Sequence, residues 1–200
     1  MSLTLLDWRR QVHDLYADVR AAASRGDPAE GHRLWRAGRD RLFAAHPDSP
    51  LPPAERTAFS GLPVAPYDPA LRFEVEVDSA VDPLEWSTAT ATDGVVPFSR
   101  IGVAHLPGLG HLDIWWLESY GGGVFLPVRD TAPDTYGGGR YVLDTVKGAD
   151  LGGQARAGLL VVDLNFAYNP SCAYSPDWTC PLAPVGNTLA VELPGGERTR

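Results

Sequence analysis

The chain has 200 residues, of which 44% are hydrophobic and 21% are charged, and its formal net charge at pH 7 is −8. This length and composition predict an ordinary globular protein, a single domain over residues 1–200 with a sizeable core. The negative charge argues against a nucleic-acid partner, because phosphate binding relies on a basic surface.

The N-terminal residues show neither a secretory signal nor an apolar run long enough to span a bilayer. We therefore expect a cytoplasmic protein with no membrane partner, whose two cysteines are reduced. The sequence does not indicate an oligomeric state.

Residues 1–48 are predicted to form a helical hairpin. Apolar residues recur at helical spacing from Leu5 to Val19 and again from Leu34 to Phe43. Asp27 and Pro28 have the residue types of an N-cap and a first helical position, which marks the start of the second helix. Both apolar stripes are expected to face the rest of the domain.

The second helix carries several arginines. Their spacing spreads the charge around the helix, and Glu30 and Asp40 are interleaved with them. We therefore interpret them as a solvated helix face rather than a basic binding patch. These arginines are Arg33, Arg36, Arg39 and Arg41.

Residues 49–70 are rich in proline and are predicted to form an extended connector, and residues 71–200 are predicted to form a β-rich core. The strands are predicted at 73–77, 84–90, 100–106, 112–118, 124–128, 140–143, 159–166 and 189–193. Turn residues separate several of them, at Asp93-Gly94, Pro107-Gly108, Gly121–Gly123 and Gly137–Gly139. No βαβ alternation is visible. The predicted class is α+β, with the helical hairpin packed on a mainly antiparallel β-sandwich or open barrel.

Several common catalytic motifs are missing from the sequence. It contains no GxSxG, HExxH or GxxxxGK[ST] motif, and no GxGxxG opens a helix after a strand. The usual signatures of serine hydrolases, zincins and P-loop proteins are therefore absent.

The TYGGGRY segment from Thr135 to Tyr141 is a first candidate for function. Its glycines let the backbone approach a ligand closely, and the planar guanidinium of Arg140 suits a carboxylate or phosphate. The alternative is a hairpin turn in which Arg140 pairs with a structural acid such as Asp130 or Asp163.

The predicted strand 159–166 places Asp163 and Asn165 on one face, because side chains alternate along a strand. A buried carboxylate and amide must meet partners or a cavity. Asp163 would then serve as a general base or ligand anchor, and Asn165 would orient the substrate. The alternatives are a solvated sheet face or a buried network that holds the following loop.

The loop after this strand contains Cys172 and Cys180. Their spacing allows a disulfide, but it is not CxxC, and no second pair completes a zinc site. We therefore predict no metal site, and we expect a reduced, partly buried structural pair. No cofactor is indicated.

Several stretches of the chain form a recognisable set, namely HPDSPL (46–51), FSGLPVAPYDPALRF (59–73), RDTAPDTYGGGRY (129–141), DLNFAYNPSCAYSPDWTCPLAP (163–184), Asn187 and Gly196-Glu197. In these stretches the chain resembles the bacterial family known as domain of unknown function 1684. The resemblance covers nearly the whole chain but implies no activity. One departure is visible, since Leu164 and Phe166 stand where the family pattern has a phenylalanine and a basic residue, which weakens an anionic-ligand hypothesis.

The function predicted from these features is binding of a small polar or anionic molecule, with a possible hydrolytic activity. Asp163 and Arg140 are the candidate catalytic residues. The alternatives are a noncatalytic small-molecule-binding module, or a structural or protein-interaction domain that acts through the helical hairpin. The candidate ligand-binding residues are Tyr136, Gly138, Gly139, Tyr141, Asn165, Tyr168 and Asn169.

Overall fold

A computed structural model describes residues 3–90 and 94–199 of the chain. Asp93 of the predicted Asp93-Gly94 turn lies outside these residues. Within the described part, no helix has both the length and the apolar character that crossing a membrane requires.

The helical hairpin consists of α1 (Leu3–Ser24) and α2 (Pro28–Ala45). Asp27 caps α2, since its side chain accepts a hydrogen bond from the Glu30 backbone N–H at 2.9 Å. The helices approach closely at Gly38, where a Cβ would lie 2.6 Å from a methyl carbon of Leu15. A single helical turn, α3 (Pro53–Arg56), follows within the connector.

In the described part of the chain, eight strands form two antiparallel sheets. The five-stranded sheet has the order β2-β3-β4-β5-β6 and the three-stranded sheet has the order β1-β8-β7. One of the sheets curls into a half-barrel, and the helices pack on the sheets, so the predicted α+β class is confirmed. The strands are β1 (Arg72–Glu76), β2 (Glu85–Thr90), β3 (Gly94–Leu106), β4 (Gly110–Leu117), β5 (Val124–Val128), β6 (Arg140–Asp144), β7 (Gly153–Gln154) and β8 (Leu159–Asp163).

The last predicted strands are corrected by the structure. β8 ends at Asp163, and residues Leu164–Phe166 form a 3-10 turn, because the Asp163 carboxylate accepts the Asn165 backbone N–H at 3.1 Å. The predicted strand 189–193 is not a strand. The Leu189 N–H donates to the carbonyl of Arg129, the residue after β5. The Leu193 N–H, however, donates to the Asp130 side chain and not to a neighbouring strand.

One hydrophobic core contains side chains from both helices and both sheets. Trp35 of α2 is fully buried and contacts Phe166 edge-on, with ring centroids 5.2 Å apart. Phe166 is thus a core residue in this chain.

Candidate functional site

Arg140 lies in β6 and is fully buried. Its Nη2 atom is 2.8 Å from Asp130 Oδ2, and its Nη1 atom donates to the carbonyl oxygens of Gly195 and Glu197 at 2.7 and 3.1 Å. Burial lowers the pKa of Arg140, and the Asp130 carboxylate opposes that shift. Of the two acids considered from the sequence, Asp130 is therefore the partner, and Arg140 anchors the C-terminal segment.

Asp163 and Asn165 belong to a separate buried network. Asn165 Nδ2 donates to Asp163 Oδ1 at 2.7 Å, and its amide makes two 2.8 Å hydrogen bonds with the backbone of Asp68. The Tyr67 hydroxyl donates to Asp163 at 3.3 Å, and Arg72 lies 3.8 Å away. Burial raises the pKa of Asp163. Among the described contacts, no hydrogen bond or ion pair joins this network to Arg140.

The glycine turn packs against the loop that follows Cys180. The Ala183 N–H donates to the Gly138 carbonyl at 3.0 Å, and a Cβ at Gly139 would lie 2.6 Å from the Ala183 Cβ. The Tyr136 hydroxyl is 3.5 Å from Cys172 Sγ. These predicted residues therefore contact the cysteine-containing segment rather than Asp163 or Arg140.

A cavity of about 120 Å³ lies between the helical hairpin, β6 and residues 168–180. Three of the predicted ligand-binding residues line it, namely Tyr141, Tyr168 and Asn169, whereas Asp163, Asn165, Arg140 and the glycine turn do not. Its other polar side chains are those of Tyr16, Arg39, Asp144, Lys147, Ser171, Tyr174 and Cys180.

Arg39 is one of the charged residues that line this cavity. Its Nη2 atom lies 2.7 Å from Glu197 Oε2, and its side chain is 12% exposed, so the prediction of a solvated face is wrong for this residue. The guanidinium carbon lies 5.1, 5.0 and 4.9 Å from the ring centroids of Trp35, Phe43 and Tyr168. Burial acts to lower the pKa of Arg39, but the Glu197 carboxylate and nearby tyrosines raise it, and the net shift is upward.

Glu197 is fully buried and binds several neighbours besides Arg39. Its Oε2 atom accepts the Asn169 backbone N–H at 3.1 Å, and its Oε1 atom accepts the Tyr174 hydroxyl. The carboxylate therefore joins α2, the segment after β8 and the C-terminal segment at one point.

Two residues that line the cavity each have one buried polar atom without a hydrogen-bond partner among the described residues. These atoms are Arg39 Nε and Asn169 Oδ1. The Asn169 amide is oriented by its Nδ2 atom, which donates to the Arg198 carbonyl at 3.0 Å. One of these two atoms is a donor and the other is an acceptor.

Tyrosine hydroxyls and an ion pair complete the surroundings of the cavity. Burial raises the pKa of Tyr16 to about 12 and those of Tyr141 and Tyr168 well above the ordinary value, so these hydroxyls stay protonated. Lys147 Nζ lies 3.5 Å from Asp144 Oδ2, and the lysine side chain is half exposed.

Three lining or neighbouring residues were not predicted as site residues from the sequence, namely Arg39, Glu197 and Lys147. A signal for Arg39 was present, because it follows Trp35 by one helical turn and so shares the apolar face. Glu197 was noted only within a family motif. Nothing in the sequence around Lys147 indicated a site.

Fold and site together define an α+β protein with a cavity between its helical hairpin and its sheets, lined by both polar and apolar side chains. The chain belongs to the family described as "Protein of unknown function (DUF1684)", which matches residues 57–198 and confirms the resemblance found in the sequence. Among solved structures it is similar to the solution NMR structure of an uncharacterized protein of Haloarcula marismortui. The identity is 32%, the match covers 89% of this chain and 97% of that chain, and the TM-score is 0.59. No curated protein matches.

Proposed function

We propose that the protein binds a small polar molecule in the cavity between the helical hairpin and residues 168–180. The observation that carries this proposal is the unmatched pair of Arg39 Nε and Asn169 Oδ1. A buried polar group without a partner costs about 1–3 kcal/mol, and native structures rarely leave one unmatched. A ligand that offers an acceptor to Arg39 and a donor to Asn169 would recover that cost.

The volume of the cavity and the charges of its lining residues narrow the class of ligand. The cavity, at about 120 Å³, is close in size to the engineered cavity of about 150 Å³ that binds benzene, which favours a ligand of about six non-hydrogen atoms. Arg39 is paired with Glu197 and Lys147 with Asp144, so the fixed charges already balance. An uncharged or singly anionic molecule, such as a small amide, hydroxy acid or carboxylic acid, fits better than a phosphate ester.

Binding without turnover is favoured over hydrolysis. The candidate base Asp163 does not line the cavity, and its oxygens are held by Asn165, Tyr67 and Arg72. A catalytic role of Asp163 and Arg140 stays a prediction from the sequence, which incubation of each binding compound with the protein, followed by product analysis, would test.

The test is a thermal-shift panel of small amides, hydroxy acids and carboxylic acids, with each hit followed by titration calorimetry. We expect at least one compound to raise Tm of the wild-type protein with one-site stoichiometry. Arg39→Lys keeps a cation beside Glu197 but removes the Nε–H donor, and this variant should lose the response.

Arg100→Lys is the matched control. Arg100 is also partly buried beside a carboxylate, 3.0 Å from Asp113, and its Nε also lacks a partner among the described residues, but it does not line the cavity. Arg100→Lys should therefore keep the full ligand response. The proposal is rejected if no compound binds wild type, or if both lysine variants respond like wild type.

A further inference from the structure

A second and larger cleft, of about 320 Å³, lies between the last turns of α1 and the three-stranded sheet. It is lined by residues of α1, β1, β8 and the segment 151–154, and these residues differ from those that line the cavity beside Arg39. Small-molecule sites commonly have volumes of about 300–1,000 Å³. The cleft is therefore large enough to be a separate binding site.

The strand register explains which side chains the sheet contributes to the cleft. Arg72 and Glu74 are two positions apart in β1 and so share one face of the sheet. Glu74 lies opposite Val161 of β8, and Gln154 of β7 lies opposite Leu159 of β8. Because directly opposed residues point to the same face, the apolar side chains of Val161 and Leu159 lie between the polar side chains of β1 and β7.

The end of α1 and the segment before β7 form the other side of the cleft. Arg20 of α1 donates from Nη1 to the Asp150 carbonyl oxygen at 2.6 Å, and its Cδ would lie 3.2 Å from a Cβ added at Gly152. Gly153 has φ +130°, and a Cβ there would clash with the Leu159 carbonyl oxygen. This glycine therefore lets the segment approach β8 closely, and the Arg20 side chain lies across it.

The two arginines of the cleft hold their carboxylate partners loosely. Arg20 lies 3.7 Å from Asp150 Oδ2, and Arg72 lies 3.3 Å from Glu74 and 3.8 Å from Asp163. Charge-assisted hydrogen bonds are usually about 2.7–2.9 Å long. The arginine side chains are 36% and 21% exposed, so their remaining donors are accessible to a ligand. Ion pairs of 2.6–3.0 Å are formed by Arg33, Arg39, Arg100, Arg140 and Arg198.

We propose that this cleft binds a small organic dicarboxylate, with one carboxylate on Arg20, the other on Arg72 and the carbon chain over Leu159 and Val161. The planar guanidinium matches a carboxylate with two parallel hydrogen bonds. An apolar surface between the two arginines favours a carbon chain over inorganic phosphate. This site is independent of the ligand proposed for the cavity beside Arg39.

Glu74 competes with the ligand for Arg72. The Glu74 side chain is 69% exposed, and its contact with Arg72 Nη2 is a single hydrogen bond of 3.3 Å. Exposed ion pairs of this kind contribute little stability, so a ligand carboxylate replaces Glu74 at low cost. Glu74 then turns towards solvent, and the negative charge beside Arg72 comes from the ligand.

Titration calorimetry of the wild-type chain with succinate, glutarate, adipate and inorganic phosphate, at constant ionic strength, is the first test. We expect at least one dicarboxylate to bind with one-site stoichiometry and to shift the backbone amide NMR signals of residues 151–154. The proposal is overturned if no dicarboxylate binds, if phosphate binds as tightly as the best dicarboxylate, or if the signals of residues 151–154 do not move.

Two variants with opposite effects test the assigned contacts. Arg20→Gln should weaken binding of the best dicarboxylate at least about tenfold, because hydrogen bonds to a charged group are lost. Glu74→Gln should strengthen it about two- to fivefold, the size of one exposed ion pair. A gain in affinity does not arise from damage to the fold, so this second variant remains informative if Arg20→Gln is unstable. Unchanged or weaker binding by Glu74→Gln contradicts the proposal.

Arg156→Gln is the matched control for charge. Arg156 is an exposed residue of the 3-10 turn Ala155–Ala157, close in sequence to the cleft but not part of its lining. This variant should bind the dicarboxylate like wild type. Equal losses in Arg156→Gln and Arg20→Gln would show a general attraction to positive charge and would overturn the site.

Arg39→Lys separates this site from the cavity beside Arg39. Arg39 does not line the cleft, so Arg39→Lys should keep the full dicarboxylate response even where it loses the response to a ligand of the cavity. Loss of dicarboxylate binding in Arg39→Lys would place the dicarboxylate in the cavity and overturn the present proposal. Failure of every compound at the cavity would leave the dicarboxylate result unaffected.

Discussion

Arg39 Nη2 lies 2.7 Å from Glu197 Oε2, so the second helix and the C-terminal segment share one nearly buried ion pair. Glu197 also holds the backbone of Asn169 and the hydroxyl of Tyr174. Three cavity-lining residues therefore depend on one carboxylate. The stability of the fold and the shape of the cavity are linked through this pair.

Glu197→Gln removes the charge opposite Arg39. Breaking a buried ion pair typically costs about 3–5 kcal/mol, because the remaining ion is left without compensation. We expect the free energy of unfolding, measured by urea titration at pH 7, to fall by that amount. Glu192→Gln changes an exposed side chain of the same segment and should stay within about 0.5 kcal/mol of wild type. Similar losses in the two variants would contradict the importance of the pair.

His32 should make stability depend on pH. It is buried, with Nε2 3.1 Å from the Asn165 carbonyl oxygen, and burial lowers its pKa to about 4. The unfolded chain, with an ordinary histidine pKa of about 6.5, binds the proton first as the pH falls. The stabilisation is therefore complete above pH 6.5 and is lost as the pH falls towards 4. Between pH 7 and pH 4.5 this loss is about 2–3 kcal/mol.

Urea titrations of His32→Gln and His13→Gln across this range measure the contribution of His32. His32→Gln should lose the corresponding part of the pH dependence. His13→Gln, at an exposed position in α1, should keep the wild-type slope. Parallel curves for wild type and His32→Gln would show that the buried imidazole does not titrate as described.

Gly139→Ala tests the packing of the glycine turn. Gly139 has φ +90°, and an added Cβ would lie 2.6 Å from the Ala183 Cβ. Gly108 has a similar φ of +80° but open space around it, so Gly108→Ala carries the backbone strain alone. We expect Gly139→Ala to be less stable than Gly108→Ala by about 1–3 kcal/mol, the usual cost of overpacking, when Tm and urea unfolding are compared. Equal effects would show that the contact with Ala183 can relax.

Asn165→Ala distinguishes a structural role from a ligand-binding role. The substitution removes the side-chain amide bond to Asp163 and both amide bonds to the backbone of Asp68, and we expect a loss of about 1–3 kcal/mol in urea unfolding. A compound that binds the cavity should still raise Tm of this variant, because Asn165 does not line the cavity. Unchanged stability together with a lost ligand response would instead support the role predicted from the sequence.

Features set by local patterns were predicted well. Short-range sequence patterns predict the helical periods of α1 and α2, the cap at Asp27 and the period-two strands. The structure contains all of these features. The end of β8 was predicted less well. A strand pattern runs on to Phe166, but the Asp163 side chain competes for the Asn165 N–H and turns the chain.

The site was only partly predictable for a different reason. Tyr141, Tyr168 and Asn169 were predicted as ligand-binding residues, and the structure places them at one cavity, whereas the burial of Arg39 depends on a residue 158 positions away. No local window contains both members of that pair.

The distance in sequence between Arg39 and Glu197 also sets an order of events when the protein is made. The helical hairpin leaves the ribosome long before Glu197 is added, so Arg39 must remain hydrated until then, because a buried guanidinium without a counter-ion is costly. Docking of the hairpin onto the sheets is therefore expected to be a late step, and contacts this distant in sequence slow folding. Until it occurs, the apolar faces of both helices are exposed to water and to other chains.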